Sequence, residues 1–283
     1  MKVLDTIKTT TEELGPPEPE YLFRAHKYAG VASPTFTPDL DVPFDLGFKR
    51  IVSFDEFIVD LANHLSKTQK EEGGERIETY FVSMSPILEW TIHTAGKKER
   101  NTTQDEVVGL AVFDVKKLRQ NSSTTIFRVS HVLEFLISQG RSFLIPAEVQ
   151  KWARNCDEYV SVGKIPDDGL VRWVRWAELY SQSVTILPEC FSRAYTLAIY
   201  RNWIENQCVE LGVEDVCNRI VKFGKVLAGP QGDLLFPLIK LVLKPGIQFW
   251  GLRTATGEDE IESRIHVIIN DDTPLDQFST LRL

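Results

Sequence analysis

The sequence predicts an α+β chain in which a β-rich core, interrupted by helices, is followed by a mainly helical part. Two observations carry this. Up to residue 176, short runs of apolar or alternating residues sit between turn signals and segments of helical period. Beyond Pro188 the apolar residues take the spacing of amphipathic helices. The expected divisions are an extended leader at 1–19, a core domain at 20–185 and a mainly helical C-terminal region at 186–283.

The leader is polar and ends in Gly15-Pro16-Pro17-Glu18-Pro19. Tyr21 to Ala25 reads as a strand, and residues 30–48, with Pro34, Pro38, Pro43, Gly30 and Gly47, as an irregular loop. Ser53 and Glu56 have capping-box spacing ahead of Phe54, Phe57, Ile58, Leu61 and Leu65, which recur at helical period. That helix gives way to a charged loop at 67–75. Glu78 to Met84 reads as a strand. Ser85-Pro86 opens a helix expected to stop near Gly96, because serine caps and proline suits the first helical position.

Val107 to Val115 is long and apolar enough for a buried strand. Thr124 to Val129 is a further strand, and Val132 to Ile137 a short helix stopped by Gly140. Glu148 to Trp152, Glu158 to Val162 and Leu170 to Trp176 alternate as strands do. Phe191 to Leu211, Val213 to Val226 and Leu234 to Leu243 are the expected C-terminal helices. The tail from Glu258 holds one apolar run, Ile265 to Ile269.

The chain has 283 residues, 43% hydrophobic and 25% charged, with a net charge of −8. Its isoelectric point near 5.3 supplies no overall basic footprint for duplex nucleic acid or an anionic membrane. It has no apolar run of about 18 residues that would span a bilayer. The first residues lack the apolar core of a secretory signal, so a cytoplasmic location is expected. Cys156, Cys190, Cys208 and Cys217 form no C-x-x-C pair, have no histidine at zinc-site spacing and are expected to be reduced thiols. No metal is expected. Gly73-Gly74 lacks the Lys-Ser/Thr of a phosphate-binding loop, and Asp167-Asp168-Gly169 reads as a turn.

Three segments carry chemistry. Arg24 lies in Tyr21-Leu22-Phe23-Arg24-Ala25-His26. Ser83-Met84-Ser85 follows Tyr80-Phe81-Val82. Glu158 lies in Asp157-Glu158-Tyr159-Val160-Ser161-Val162-Gly163-Lys164-Ile165-Pro166. In this order, over residues 20–176, they resemble the ADP-ribosyltransferases of the R-S-E, cholera- and pertussis-toxin-like class, including divergent fungal-type members. The resemblance implies two short packed β-sheets with flanking helices around a cleft for NAD, the co-substrate. The implied reaction is transfer of ADP-ribose to a protein or small-molecule acceptor, or hydrolysis of NAD.

Cleaving the nicotinamide–ribose bond needs a cation for the phosphates, a role suited to the planar arginine fork. It also needs a carboxylate facing the charge that develops on the ribose. The resemblance gives the first role to Arg24 and the second to Glu158, which keeps the family's spacing to Pro166. Ser83 would orient Glu158, and the backbone around Ala25 and His26 would face the nicotinamide or adenine. His26 itself reads as a polar loop residue and Met84 as core filling. Cys156 stands two residues before Glu158, where family members carry Glu or Gln to orient the acceptor.

Met84 replaces the threonine of the family's Ser-Thr-Ser motif. Together with Cys156 it supports a second reading, a catalytically inactive binding or interaction module that fails to bind NAD. A third reading is a biosynthetic transferase reusing the cleft, such as a tRNA-dependent cyclodipeptide synthase. It predicts salt-sensitive tRNA binding, against which the acidic charge counts. No motif of that kind maps onto this chain.

Overall fold

In a computed structural model, residues 18–29, 34–38, 53–67, 79–121, 125–184, 209–229, 232–243, 252–253 and 257–271 are described. The fold is α+β. It divides into two compact units, residues 1–91 with 102–173, and residues 92–101 with 174–283. The expected boundary near 185 and most of the expected helix from 191 lie outside the described residues, as do most of the leader and of the two loops at 30–48 and 67–75.

The first unit is built on two three-stranded sheets. One has the order β1 (Tyr21–Ala29), β3 (Glu106–Asp114), β6 (Leu170–Arg175), and the other β2 (Phe81–Met84), β5 (Tyr159–Val162), β4 (Thr125–Arg128). Strands β1 and β3 are antiparallel, with Arg24 opposite Ala111 and His26 opposite Gly109. β5 is antiparallel to both neighbours, placing Ser83 and Phe127 opposite Val160. β1 runs four residues beyond the expected end, so His26 is a strand residue and not the expected loop residue. Its partner Gly109 leaves room beside it, and the His26 ring lies 4.8 Å from Phe36 and 6.3 Å from Trp173.

Alternation explains the layers. Val82, Met84, Ile126 and Tyr159 pack with Leu22, Ala111 and Phe113 of the other sheet, confirming Met84 as core filling. Phe81, Phe127, Val160 and Val162 face the opposite way. They pack against α1 (Phe54–Lys67), α4 (Val129–Ser138) and α5 (Ala147–Asn155). The capping box of α1 forms as read, Ser53 N donating to Glu56 Oε2 at 2.9 Å and Glu56 N to Ser53 Oγ at 3.2 Å. Helix α3 (Val115–Gln120) follows β3 directly, capped by the Asp114 carboxylate.

Three further expectations are corrected. Glu148 to Trp152 is not a strand but the body of α5. Val149 and Ala153, four apart, supply its buried face, a helical spacing that a five-residue window reads as alternation. Helix α2 (Leu88–Arg100) does not stop at Gly96. A Cβ there would lie 3.1 Å from the Trp176 indole, so this glycine marks a close approach and not a helix end. Val209–Glu210 is a strand, β7, parallel to β8 (Leu252–Arg253), and not the end of a helix.

The second unit contains α6 (Trp176–Ser183), α7 (Val213–Ala228), α8 (Gly232–Leu243) and α9 (Glu258–Asp271), which takes in Ile265 to Ile269. α7 packs on both α8 and α9. Cys217 of α7 is buried, its thiol donating to the Ile261 carbonyl of α9 at 3.8 Å. At Gly224 a Cβ would come within 2.5 Å of Ile239 and 3.3 Å of Leu235. Gly224→Val is therefore expected to lower stability by about 2 kcal/mol through overpacking, outweighing its better helix propensity. Urea denaturation measures this, and an unchanged midpoint would show that α8 can shift without cost. Among the described residues no helix is long and apolar enough to cross a membrane.

Candidate functional site

The two sheets of the first unit meet at the ends of β1 and β2. Phe23 and Ser85 exchange backbone hydrogen bonds, Phe23 N to Ser85 O at 2.7 Å and Ser85 N to Phe23 O at 2.9 Å. This bridge sets Arg24 beside Ser83, and Arg24 Nη1 donates to the Ser83 carbonyl at 2.6 Å. Ala25, next in β1, is 7% exposed and turns its side chain the other way.

Glu158 arrives from the third direction, one residue ahead of β5. Its placement is a helix-end problem. At the C-terminus of α5, Asp157 N donates to Arg154 O at 3.1 Å and Glu158 N to Ala153 O at 3.0 Å. That is the bond pattern of a Schellman cap, with Asp157 as the left-handed residue at φ 45°. Glycine is usual there, and aspartate is among the few side chains that tolerate it. The turn is clamped from both sides. Arg128 pairs with both Asp157 oxygens, Nε to Oδ1 at 2.5 Å and Nη2 to Oδ2 at 2.9 Å. Ser85 Oγ donates to the Cys156 carbonyl at 2.5 Å and accepts from Ile87 N at 3.0 Å, serving the entry to α2 as expected. Val129 N holds the Glu158 carbonyl at 2.8 Å.

The chain thus brings Arg24, Ser83 and Glu158 together. Glu158 is 2% exposed, and its Oε1 is buried without a hydrogen-bond partner. Burial pushes its carboxyl up to about 7, opposed by the Ser83 hydroxyl, the Arg24 charge and the Cys156 thiol. Cys156 is 2% exposed, its Sγ 3.6 Å from Ala153 O and 3.9 Å from Glu158 Oε2. Burial first, then the Glu158 carboxylate, pushes the thiol well above its ordinary range. Cys156 is thus a buried neighbour of the Glu158 carboxylate.

His64 of α1 is the residue that sequence reasoning missed. Its Nε2 lies 2.6 Å from Ser83 Oγ and its Nδ1 2.7 Å from Thr79 Oγ1, and the residue is buried. With the proton on Nε2, His64 donates to Ser83 and accepts from Thr79, and the Ser83 hydrogen is left to face Glu158. A signal was available. His64 follows Leu61 by three residues and Phe57 by seven, which sets one polar side chain into the buried stripe of an amphipathic helix. Among the described residues no group of three or more His, Cys, Asp and Glu is placed to hold a metal ion.

A family model described as a domain of unknown function, DUF7587, matches residues 17–179. The chain belongs to this family. No curated protein and no solved structure matches it significantly. The DUF7587 match takes in both sheets of the first unit, together with Arg24, His64, Ser83, Cys156 and Glu158.

Proposed function

We propose that the chain binds NAD at Arg24, Ser83 and Glu158 and transfers its ADP-ribosyl group to a protein or small-molecule acceptor, or to water. The supporting observation is the convergence of Arg24 from β1 and Ser83 from β2 on the buried Glu158 carboxyl group, presented by the turn ahead of β5, whose Oε1 lacks a partner. A buried acceptor without a donor is costly unless a ligand completes it, and a ribose hydroxyl is a suitable donor.

NAD would supply the scissile nicotinamide–ribose bond. Arg24 offers a planar donor fork, already turned towards Ser83, for the phosphates. Ionised Glu158 would accept from the ribose and stabilise the positive charge that grows on it as the bond breaks. Ser83, held by His64, fixes the carboxylate's orientation. Because Glu158 acts ionised and its carboxyl sits near 7, turnover is expected to rise with pH through that value. A cytoplasmic setting agrees with Cys156 and Cys217 being free thiols.

The test is nicotinamide release from NAD by the wild type and by Glu158→Gln, which keeps the shape and removes the charge. The expected loss is about 100-fold or more. Equal turnover by the two proteins would overturn the assignment. The burial of Glu158 and Cys156 favours a second reading, an interaction module built on the same scaffold. That reading expects neither turnover nor a heat of NAD binding in calorimetry.

A further inference from the structure

We propose that binding at the Glu158 site is coupled to release of a proton, because the chain's own groups favour the protonated carboxyl and a ribosyl hydroxyl at Oε1 favours the ionised one. The proposal rests on the NAD reading above and adds to it a control of occupancy by pH.

The surroundings of Glu158 give a carboxylate little to hold. The side chain is buried from water, Oε1 has no hydrogen-bond partner, and no cation among the described residues forms an ion pair with it. The groups that face it come from four elements. Arg24 of β1 acts through its charge, its Nη1 being directed to the Ser83 carbonyl. Ser83 of β2 offers one hydroxyl, whose oxygen is tied to His64 Nε2 of α1 at 2.6 Å. At the end of α5, Cys156 offers a thiol, a weak donor, 3.9 Å from Oε2. The adjacent Asp157 carboxylate is taken up by Arg128 of β4. Burial outweighs these contacts and favours the neutral acid.

A hydroxyl donor at Oε1 shifts that balance. Hydrogen bonding to the charged form of a carboxyl stabilises it, and a bond to an ionised acceptor is about twice as strong as one between neutral groups. The carboxyl O–H bond breaks, its proton passes to the buffer, and the carboxylate accepts from the ribosyl hydroxyl and from Ser83. A ligand that prefers the ionised carboxyl binds more tightly where that form is already populated. The sign follows. Affinity rises with pH through about 7, where the carboxyl titrates, and levels off above it.

The probe is a carbocyclic NAD analogue, in which a methylene replaces the ring oxygen of the nicotinamide ribose. It keeps the ribose hydroxyls and is not cleaved, so no proton from turnover enters the count. Calorimetric titration of the full chain at pH 6, 7 and 8, each in two buffers of different ionisation enthalpy, counts the protons released. The expected release is about one proton per molecule bound at pH 6, about half at pH 7 and about a tenth at pH 8. Kd should be about tenfold lower at pH 8 than at pH 6. Glu158→Gln has no proton to lose, so whatever it releases must fall short of the wild type by that amount. Binding without proton release, or the same release by Glu158→Gln, would overturn the coupling and leave the NAD reading standing. No binding at any of the three pH values would overturn both.

Discussion

Replacing Glu158 by glutamine is expected to leave the protein about as stable as wild type at pH 5 and more stable by about 3 kcal/mol at pH 8. The folded carboxyl titrates near 7 against an ordinary value of 4.5, because burial disfavours the charged form. Between those pH values the native state holds a proton that the unfolded chain has released, so stability falls as pH rises through this window. A difference of that size corresponds to about 3 kcal/mol once both states are ionised. Glutamine mimics the protonated carboxyl and carries no such penalty.

His93, whose ring burial lowers to about 4, and His131, also lowered chiefly by burial, give slopes of the opposite sense, in both proteins alike. The difference between wild type and Glu158→Gln therefore isolates the carboxyl. Urea denaturation from pH 5 to pH 8 measures it. Parallel stability curves for the two proteins would mean that Glu158 is solvated or already paired in the free chain. The group that destabilises the fold is nevertheless held by three backbone hydrogen bonds, one from the Ser85 hydroxyl and an ion pair around its turn, the trade of stability for placement that the proposed site needs.

What the sequence made legible follows from where its signals are local. The strand at 107–115, the capping box at Ser53 and the Ser85 cap each depend on residues within one or two turns, and each lies where it was read. Arg24, Ser83 and Glu158 were legible as a set through an ordered resemblance, and the structure brings them together through the Phe23–Ser85 bridge and the β2–β5 register. Neither of those pairings is written in local pattern.

The misses have the same cause. Helix α5 was hidden because Glu148 to Trp152 is too short a window to separate period 2 from period 3.6, and its ending is marked by Asp157 in place of the usual glycine. His64 is marked locally only as a polar residue in an apolar helical stripe, because the partners that give it a role, Thr79 and Ser83, are distant in sequence. Gly96 read as a stop because its real neighbour, the Trp176 indole, lies far along the chain.

Asp157→Ala is expected to destabilise the chain by about 3 kcal/mol, and Asp157→Gly by about 2 kcal/mol. Both remove the paired hydrogen bonds to Arg128, a bridge whose side chains are only 18% and 23% exposed. Breaking one partner of such a pair leaves a partly desolvated guanidinium, which costs more than losing a surface ion pair. Alanine also forces a Cβ without local hydrogen-bonding capacity into the left-handed region, at about 1 kcal/mol, whereas glycine accepts φ 45° freely. The gap between the two variants thus reads the backbone term, and their shared loss reads the clamp.

Arg128→Ala in the Asp157→Ala background should then cost little more, because the two side chains act as a unit. Urea denaturation of the four proteins completes the cycle. Full additivity would show that Arg128 and Asp157 are coupled to other groups and not to each other. The site reports the same event. Asp157 is the hinge on which Glu158 turns into line with Ser83, so the alanine variant should also lose the elevated Glu158 titration and flatten the pH dependence of stability, while retaining every residue of the Arg24, Ser83 and Glu158 set.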